Sequence, residues 1–170
     1  IDDPDGEIAL CILSAINVGK INRLEELEDL CDLSVRGLEE LIDYQGYPVK
    51  AAENSTKKRR SLGIGFIGLA HYLAKNGEHY DDSSAWQLTH DLTEAFQYYL
   101  LKSSNQLAQE KGKCEYFDRT KYSQGILPID TYKSEVDEIV PNNLKYDWES
   151  LRTASTCLLY TSDAADDTPC

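Results

Sequence analysis

Methionine is missing from this chain of 170 residues, at the first position as at every other. From that absence we expect the chain to begin inside a longer reading frame, as a fragment of a larger protein. Also missing is any run of about 18 apolar residues, or a basic stretch followed by an apolar one. The sequence therefore predicts neither export nor a membrane partner.

Positive charge is scarce. The chain has 17 Lys and Arg against 30 Asp and Glu, for a net charge of −13. Nucleic acid polymers and anionic membrane surfaces are bound by basic faces. The composition therefore argues against a general binder of either kind, and we expect no nucleic acid partner. A pocket for a small nucleotide remains compatible with the charge.

Paired cysteines and clustered metal ligands are also absent. The five cysteines are odd in number, scattered, and never spaced as Cys-x-x-Cys, which argues against a disulfide framework and a structural zinc site. His71 and His79 have no cysteine or further histidine at ligand spacing. We therefore predict free thiols in the reducing cytoplasm and no metal site.

A short apolar stretch near the start of the chain predicts a buried strand. It runs over residues 7–19, is rich in β-branched residues and is bracketed by Gly6 and Gly19. Cys11 stands in its middle. On residue type alone, a single cysteine in such a strand is most often a small core residue.

Two amphipathic helices dominate the remaining sequence. The first is predicted from Asn22, the start of a capping box with Glu25, to a cap at Gly46, with a buried stripe that includes Cys31. The second is predicted from Ser84, paired with Gln87 in the same motif, to Gly112. We interpret Cys31 as structural and the many acidic residues of the first helix as a solvated face.

Shorter elements lie between and after these helices. Residues 51–60 are predicted to form a polar loop. After the second helix, a short helix or turn is predicted at 118–122 and a weak helix at 132–139, and Asp147 is the predicted N-cap of a last helix.

A glycine motif suggests one possible function, the binding of a dinucleotide. Residues 63–68 match G-x-G-x-x-G, the dinucleotide-binding fingerprint, and Asp81 or Asp82 lies near the spacing of a ribose-binding acid. The fingerprint requires a buried strand immediately before its first glycine, whereas a basic loop stands there. A nucleotide-binding module would need a parallel βαβ unit at this point. A helical scaffold protein, suggested by the acidic helices, is another possible function.

A more specific assignment comes from sequence similarity. Segments from about Gly6 to Thr153 resemble those of one family and follow one another in the same order. The matching segments are Ala9-Leu-Cys-Ile-Leu-Ser-Ala15, Asn17-Val-Gly19, Tyr47-Pro48, Arg59-Arg-Ser-Leu-Gly-Ile-Gly65, Leu73-Ala-Lys75, Tyr98-Tyr-Leu-Leu-Lys102, Gly125-Ile-Leu-Pro-Ile-Asp-Thr-Tyr-Lys133 and Tyr146-Asp-Trp-Glu149. They resemble the class I ribonucleotide reductase large subunit. The resemblance implies an α/β fold: a helix-rich partial fragment of a ten-stranded α/β barrel, with a few of its strands. One of these strands would span about residues 60–65 and be followed by a helix over residues 66–75.

The resemblance also implies a chemistry. The position of Cys11 is that of one of two redox-active cysteines that reduce a ribonucleotide to a deoxyribonucleotide for DNA synthesis, after a thiyl radical has activated the ribose. Leu13, two residues on and on the same strand face, would line the substrate pocket. The radical cysteine and the second reducing cysteine belong to the family's sequence before Ile1, so the isolated chain is expected to be inactive.

Partners and cofactors follow from the same resemblance. The substrate would be a ribonucleoside diphosphate. A metal-containing small subunit would supply the radical, thioredoxin or glutaredoxin the reducing electrons, and ATP or deoxynucleotides the allosteric control of a large-subunit homodimer. No cofactor is expected within the 170 residues themselves.

The end of the chain departs from the family. Residues 1–156 are predicted to belong to the catalytic barrel. Residues 157–170 look like a translated sequencing adapter, that is, a non-native and disordered tail.

Overall fold

The computed structural model describes residue 3, residues 5–141 and residues 143–157. Within this part of the chain there are two strands, β1 (Ile12–Asn17) and β2 (Leu62–Ile67), and five α-helices. The helices are α1 (Glu26–Tyr44), α2 (Lys50–Arg59), α3 (Leu69–Lys75), α4 (Ser83–Lys111) and α5 (Trp148–Cys157). Single 3-10 turns fill much of the segment between α4 and α5.

The two strands form a parallel sheet in register from Ile12 opposite Leu62 to Asn17 opposite Ile67. Parallel neighbours need a crossover connection, and α1 and α2 provide it here. This arrangement confirms the prediction of a helix-rich α/β chain with a few strands.

Helix α1 follows the predicted apolar stripe and packs between the sheet and α4. Its buried residues include Leu27, Cys31 and Ile42, each of them fully buried. Cys31 is therefore a core residue, as predicted. The helix begins later than expected, and the Asn22–Glu25 capping box is not formed. Instead, the Glu26 carboxylate accepts hydrogen bonds from the backbone N–H groups of Asn22 (3.3 Å) and Arg23 (3.1 Å).

Helix α4 also matches its prediction in extent and ends at Gly112, whose φ of +90° suits a glycine. Its predicted capping box is wrong, because the Ser84 hydroxyl donates a hydrogen bond to Glu78 instead. The predicted helix at 66–75 begins at Leu69, since β2 continues to Ile67.

The prediction of a loop over residues 51–60 is wrong, since these residues lie largely in α2. The buried face of α2 is made of Ala51, Ala52, Ser55 and Thr56, which are small or polar and so give little hydrophobic periodicity. Three consecutive cations, Lys57-Lys58-Arg59, occupy the last turn, where they interact favourably with the helix dipole.

A cluster of charges around the buried Glu39 joins α1, Arg60 at the end of α2, and the end of α4. Glu39 is fully buried, and its carboxylate accepts hydrogen bonds from Arg60 and from Lys111 Nζ (2.5 Å). Arg60 has a left-handed backbone (φ +50°) and also donates to Asp43 Oδ2 at 2.8 Å. That hydrogen bond lowers the pKa of Asp43, and the carboxylates of Glu39 and Glu40 raise the pKa of Lys111. The cluster therefore fixes the backbone immediately before β2.

The segment after α4 packs around a second apolar cluster. Its buried side chains include Tyr122, Leu127 and Trp148, and Tyr146 stacks on Tyr98 of α4 with ring centroids 4.6 Å apart. Asp147 caps α5 as predicted, accepting a hydrogen bond from the Ser150 N–H at 3.0 Å.

The predicted non-native tail lies almost entirely outside the described residues, since α5 ends at Cys157 and residues 158–170 are not described. In the part that the structure describes, no helix is long and apolar enough to cross a membrane.

Candidate active site

The two faces of the sheet differ in what covers them. Because side chains alternate along a strand, Ile12, Ser14 and Ile16 point toward the helices, and Ile16 is buried. The opposite face carries Leu13, Ala15 and Asn17 of β1 beside Gly63, Gly65 and Ile67 of β2. We call this second set, with Cys11, the open face.

The open face is uncovered by the described residues. Leu13 is 70% exposed and Ile67 is 56% exposed, large values for apolar side chains in a sheet. The predicted buried strand is therefore buried on one side only, because α1 and α4 pack on the other side. Parallel sheets are normally covered on both faces, so an uncovered apolar face is an unusual feature of this one.

Cys11 lies immediately before β1 and on the open face. Its side chain is partly exposed, and its sulfur lies 3.9 Å from the point where a Cβ on Gly63 would stand. The neighbouring Ile12 N–H donates to the Ser61 carbonyl at 3.2 Å, so that the backbone at Cys11 is held against β2. Cys11 is therefore not a core residue, and its thiol stands at a fixed place on the sheet.

Leu13 lies beside Cys11, over Gly63 of the neighbouring strand. A Cβ on Gly63 would lie only 2.5 Å from Leu13 Cδ2, a distance that real Cβ atoms do not adopt. The absence of a side chain at Gly63 thus lets Leu13 lie across β2 next to the thiol. The structure brings together the two residues that the sequence predicted for the site.

The strands end in a tight backbone contact that sequence reasoning missed. The Asn17 side chain accepts a hydrogen bond from the Gly19 N–H at 3.1 Å. Gly68, whose backbone has a φ of +83°, lies against the same Asn17 side chain. A Cβ on Gly68 would lie 2.5 Å from Asn17 Oδ1. The available signal was Asn17 near the end of the first predicted strand and Gly68 three residues after the end of the second.

The dinucleotide-binding interpretation is wrong. Gly63 and Gly65 lie within β2 instead of following it, and Gly68 precedes a helix of only seven residues. Asp82 lies just before α4, where it accepts hydrogen bonds from His79, and not at the end of a strand. The geometry of the fingerprint is therefore not formed.

Cys31 and Cys114 lie away from the open face. Both are buried, and burial raises the pKa of the Cys31 thiol to about 12 and that of Cys114 to about 11. Neither forms appreciable thiolate at neutral pH, and thiolate is the reactive form of cysteine.

Among the described residues, no group of three or more His, Cys, Asp or Glu could hold a metal ion.

Comparison with known proteins identifies the family of the chain. The profile of the family described as "Ribonucleotide reductase, barrel domain" matches residues 2–156. The ribonucleoside-diphosphate reductase subunit alpha of Haemophilus influenzae is 62% identical over 152 residues, which cover 89% of this chain and 20% of that protein. The subunit alpha of enterobacteria phage T4 is 44% identical over 154 residues, which cover 89% of this chain and 20% of that protein.

A third relative, the ribonucleoside-diphosphate reductase 1 subunit alpha of Escherichia coli, is 57% identical over 111 residues, which cover 65% of this chain and 15% of that protein. The chain thus spans about a fifth or less of the length of these relatives. Its own match to the family is nearly complete, because residues 2–156 are covered. The chain belongs to the ribonucleotide reductase barrel-domain family.

Proposed function

We propose that this chain forms part of the catalytic barrel of a ribonucleoside-diphosphate reductase large subunit and supplies one of its two reducing thiols, Cys11. The observation that carries this proposal is the place of Cys11, partly exposed and anchored on the open face beside Leu13. A reducing thiol must be held rigidly and must also reach both the sugar and a partner thiol.

The reaction requires two thiols. After a thiyl radical on another cysteine has removed a hydrogen from the ribose, Cys11 and a second cysteine together supply two electrons and two protons. The 2′-hydroxyl leaves as water, the two sulfurs become a disulfide, and the removed hydrogen returns to the ribose. For the disulfide to form, the second cysteine must bring its Cα within about 4.4–6.8 Å of that of Cys11.

Leu13 has a separate role in this proposal. Its side chain lies beside the thiol on the same face and is mostly exposed. An apolar group at that place would pack against the sugar and exclude water from the reacting carbon. We assign Leu13 to the wall of the substrate pocket.

The open face becomes an interior surface in the proposed barrel. A barrel removes the free edges of its sheet by closing it, and in the described residues β1 and β2 pair only with each other. In a ten-stranded barrel both strands would gain a second neighbour, and the open face would point to the lumen where the nucleotide binds.

The remaining partners belong to the whole enzyme. A metal-containing small subunit would generate the radical, and thioredoxin or glutaredoxin would reduce the disulfide of Cys11 and its partner back to two thiols. ATP and deoxynucleotides would act as effectors of a large-subunit homodimer. The free Cys11, Cys31 and Cys114 thiols are compatible with the reducing cytoplasm that this chemistry needs.

A chimera tests the proposed function. The stretch of the Haemophilus influenzae subunit alpha that matches this chain is replaced by residues 2–153, and deoxynucleotide formation is measured with the small subunit and a reductant. We expect the chimera to keep activity within about tenfold of the parent, because 62% identity preserves both the fold and the thiol. The 170-residue chain alone should form no deoxynucleotide.

Two results would contradict the proposal. One is a chimera that is folded and assembles with the small subunit yet forms no product. The other is measurable deoxynucleotide formation by the 170-residue chain alone.

A further inference from the structure

The segment that carries Cys11 is attached near both ends of α2 by backbone hydrogen bonds. At the first turn of α2, the Ile8 N–H donates to the carbonyl of Ala51 at 3.1 Å. Just beyond the last turn, the Ile12 N–H donates to the carbonyl of Ser61 at 3.2 Å. In the part of the chain that the structure describes, the three residues between these two points form no hydrogen bond. The segment therefore runs alongside α2, and Cys11 lies on a stretch that is held at its two ends.

The side chain of Glu7 adds a third attachment to α2. Its carboxylate Oε2 accepts a hydrogen bond at 2.8 Å from Nη2 of Arg59, the last residue of the helix. Both side chains are partly buried, and the hydrogen bond from the Arg59 guanidinium lowers the pKa of the Glu7 carboxyl below its usual value. The three residues between Glu7 and Cys11 are apolar, so no other charged side chain ties this stretch to α2.

Arg59 is itself supported by the segment that follows α4. Its guanidinium carbon lies 5.4 Å from the centroid of the Tyr116 ring, and that of Arg119 lies 3.6 Å from the same centroid. Cations in such positions are attracted to the ring. The Tyr116 N–H also donates to the carbonyl of Lys58 at 3.1 Å, which fixes the ring beside the end of α2. The guanidinium that holds Glu7 is therefore restrained from two sides.

We propose that Glu7 and Arg59 are positioning residues for the Cys11 thiol, because their ion pair holds the segment that carries the thiol along α2. The inference rests on the proposed function and adds to it two residues that touch neither substrate nor sulfur. A reducing thiol must meet the sugar and then a partner sulfur, and the disulfide tolerates only a narrow range of distances between the two Cα atoms. A segment that slackened at Glu7 would let Cys11 leave that range.

Position and stability respond very differently to the loss of such a pair. An ion pair near the surface contributes little to the free energy of unfolding, so its removal should leave the fold intact. A displacement of a reacting group by about 1 Å, in contrast, can reduce the rate about a hundredfold. If the pair positions the thiol, its loss will therefore appear in turnover and not in the melting temperature.

The test replaces Glu7 by alanine in the active chimera, with the small subunit present. We expect kcat to fall at least about tenfold, while KM for the nucleoside diphosphate stays within about twofold, because neither Glu7 nor Arg59 belongs to the open face. Glu53→Ala is the matched control, since Glu53 also lies on α2 and pairs with Lys50 at 3.0 Å and with Lys57 at 2.8 Å. The control should keep the kcat, the KM and the melting temperature of the unmodified chimera.

Arg59→Ala and the double variant with Glu7→Ala show whether the two residues act as a pair. Either single change breaks the same contact, so the double variant should be no slower than the slower single variant. Independent effects would multiply instead, and a double variant about tenfold slower than both single variants would overturn the proposal. So would a fall in melting temperature for Glu7→Ala that accounts for the lost activity, because the pair would then have a structural role only.

A kcat for Glu7→Ala within about twofold of the Glu53→Ala value would also overturn it, even if Arg59→Ala failed to fold. A higher KM with unchanged kcat would assign the pair to substrate binding, with the same consequence. These failures are distinguishable from failure of the proposed function. In them the unmodified chimera still turns over and depends on Cys11, whereas failure of the proposed function leaves the unmodified chimera inactive or independent of Cys11.

Discussion

Replacement of Cys11 by serine in the chimera is expected to reduce kcat by at least about three orders of magnitude, as does the removal of other groups that react directly with substrate. Serine is close to cysteine in size but cannot form a disulfide or supply the electrons. Because the Cys11 side chain is partly exposed and faces away from the helices, the fold should tolerate the change. We therefore expect an unchanged melting temperature together with lost turnover.

Cys31→Ser is the matched control for this experiment. Cys31 is fully buried in α1, so a hydroxyl there should lower the melting temperature. The turnover of the folded fraction should remain, since Cys31 lies in the helical core and not on the open face. If Cys11→Ser retained more than a tenth of the parent kcat, Cys11 would not be a reducing thiol.

Truncation of Glu39 to alanine is expected to reduce the free energy of unfolding by about 3–5 kcal/mol, the usual cost of breaking a buried ion pair. The variant leaves the guanidinium of Arg60, itself only 8% exposed, without the buried carboxylate that it contacts. A loss of that size approaches the whole stability of a marginal domain. Urea unfolding of the 170-residue chain, followed by circular dichroism, measures it.

Glu40→Ala is the control for the buried cluster. Glu40 contacts the same Lys111 at 2.5 Å, but its side chain is 71% exposed. An exposed ion pair of this kind contributes about 1 kcal/mol or less, so we expect little change in unfolding. Equal losses for Glu39→Ala and Glu40→Ala would show that burial of Glu39 does not matter.

The sequence predicted those elements whose apolar residues recur at a regular spacing or whose first residue is a typical cap. The stripe of α1 and the length of α4 follow from apolar residues at helical spacing, and Asp147 was recognised as a cap from its residue type. Helix α2 was missed because its buried face consists of alanine, serine and threonine, which hydrophobic periodicity does not detect. Its helicity depends on tertiary packing instead.

The residues of the candidate site were proposed from the sequence, whereas its geometry could not be. Cys11 and Leu13 were assigned from a resemblance, and alternation along the strand placed them on one face. That this face carries no helix could not be deduced, because an apolar strand has the same composition whether one or both faces are covered. The separate reasons for Gly63 and Gly68 required the distances to neighbouring atoms.

A single turnover of the chimera without external reductant tests the central claim most directly. Cysteines of the parent that lie outside the barrel are first replaced by serine, so that thiol–disulfide exchange cannot return the new disulfide to thiols. The protein is then fully reduced, given its small subunit and one equivalent of ribonucleoside diphosphate, quenched in acid, and mapped by mass spectrometry of its unreduced peptides. The account predicts that the Cys11 peptide becomes disulfide-linked to one cysteine outside this chain, in a yield that matches the deoxynucleotide formed. Product formation with Cys11 still a free thiol would contradict it.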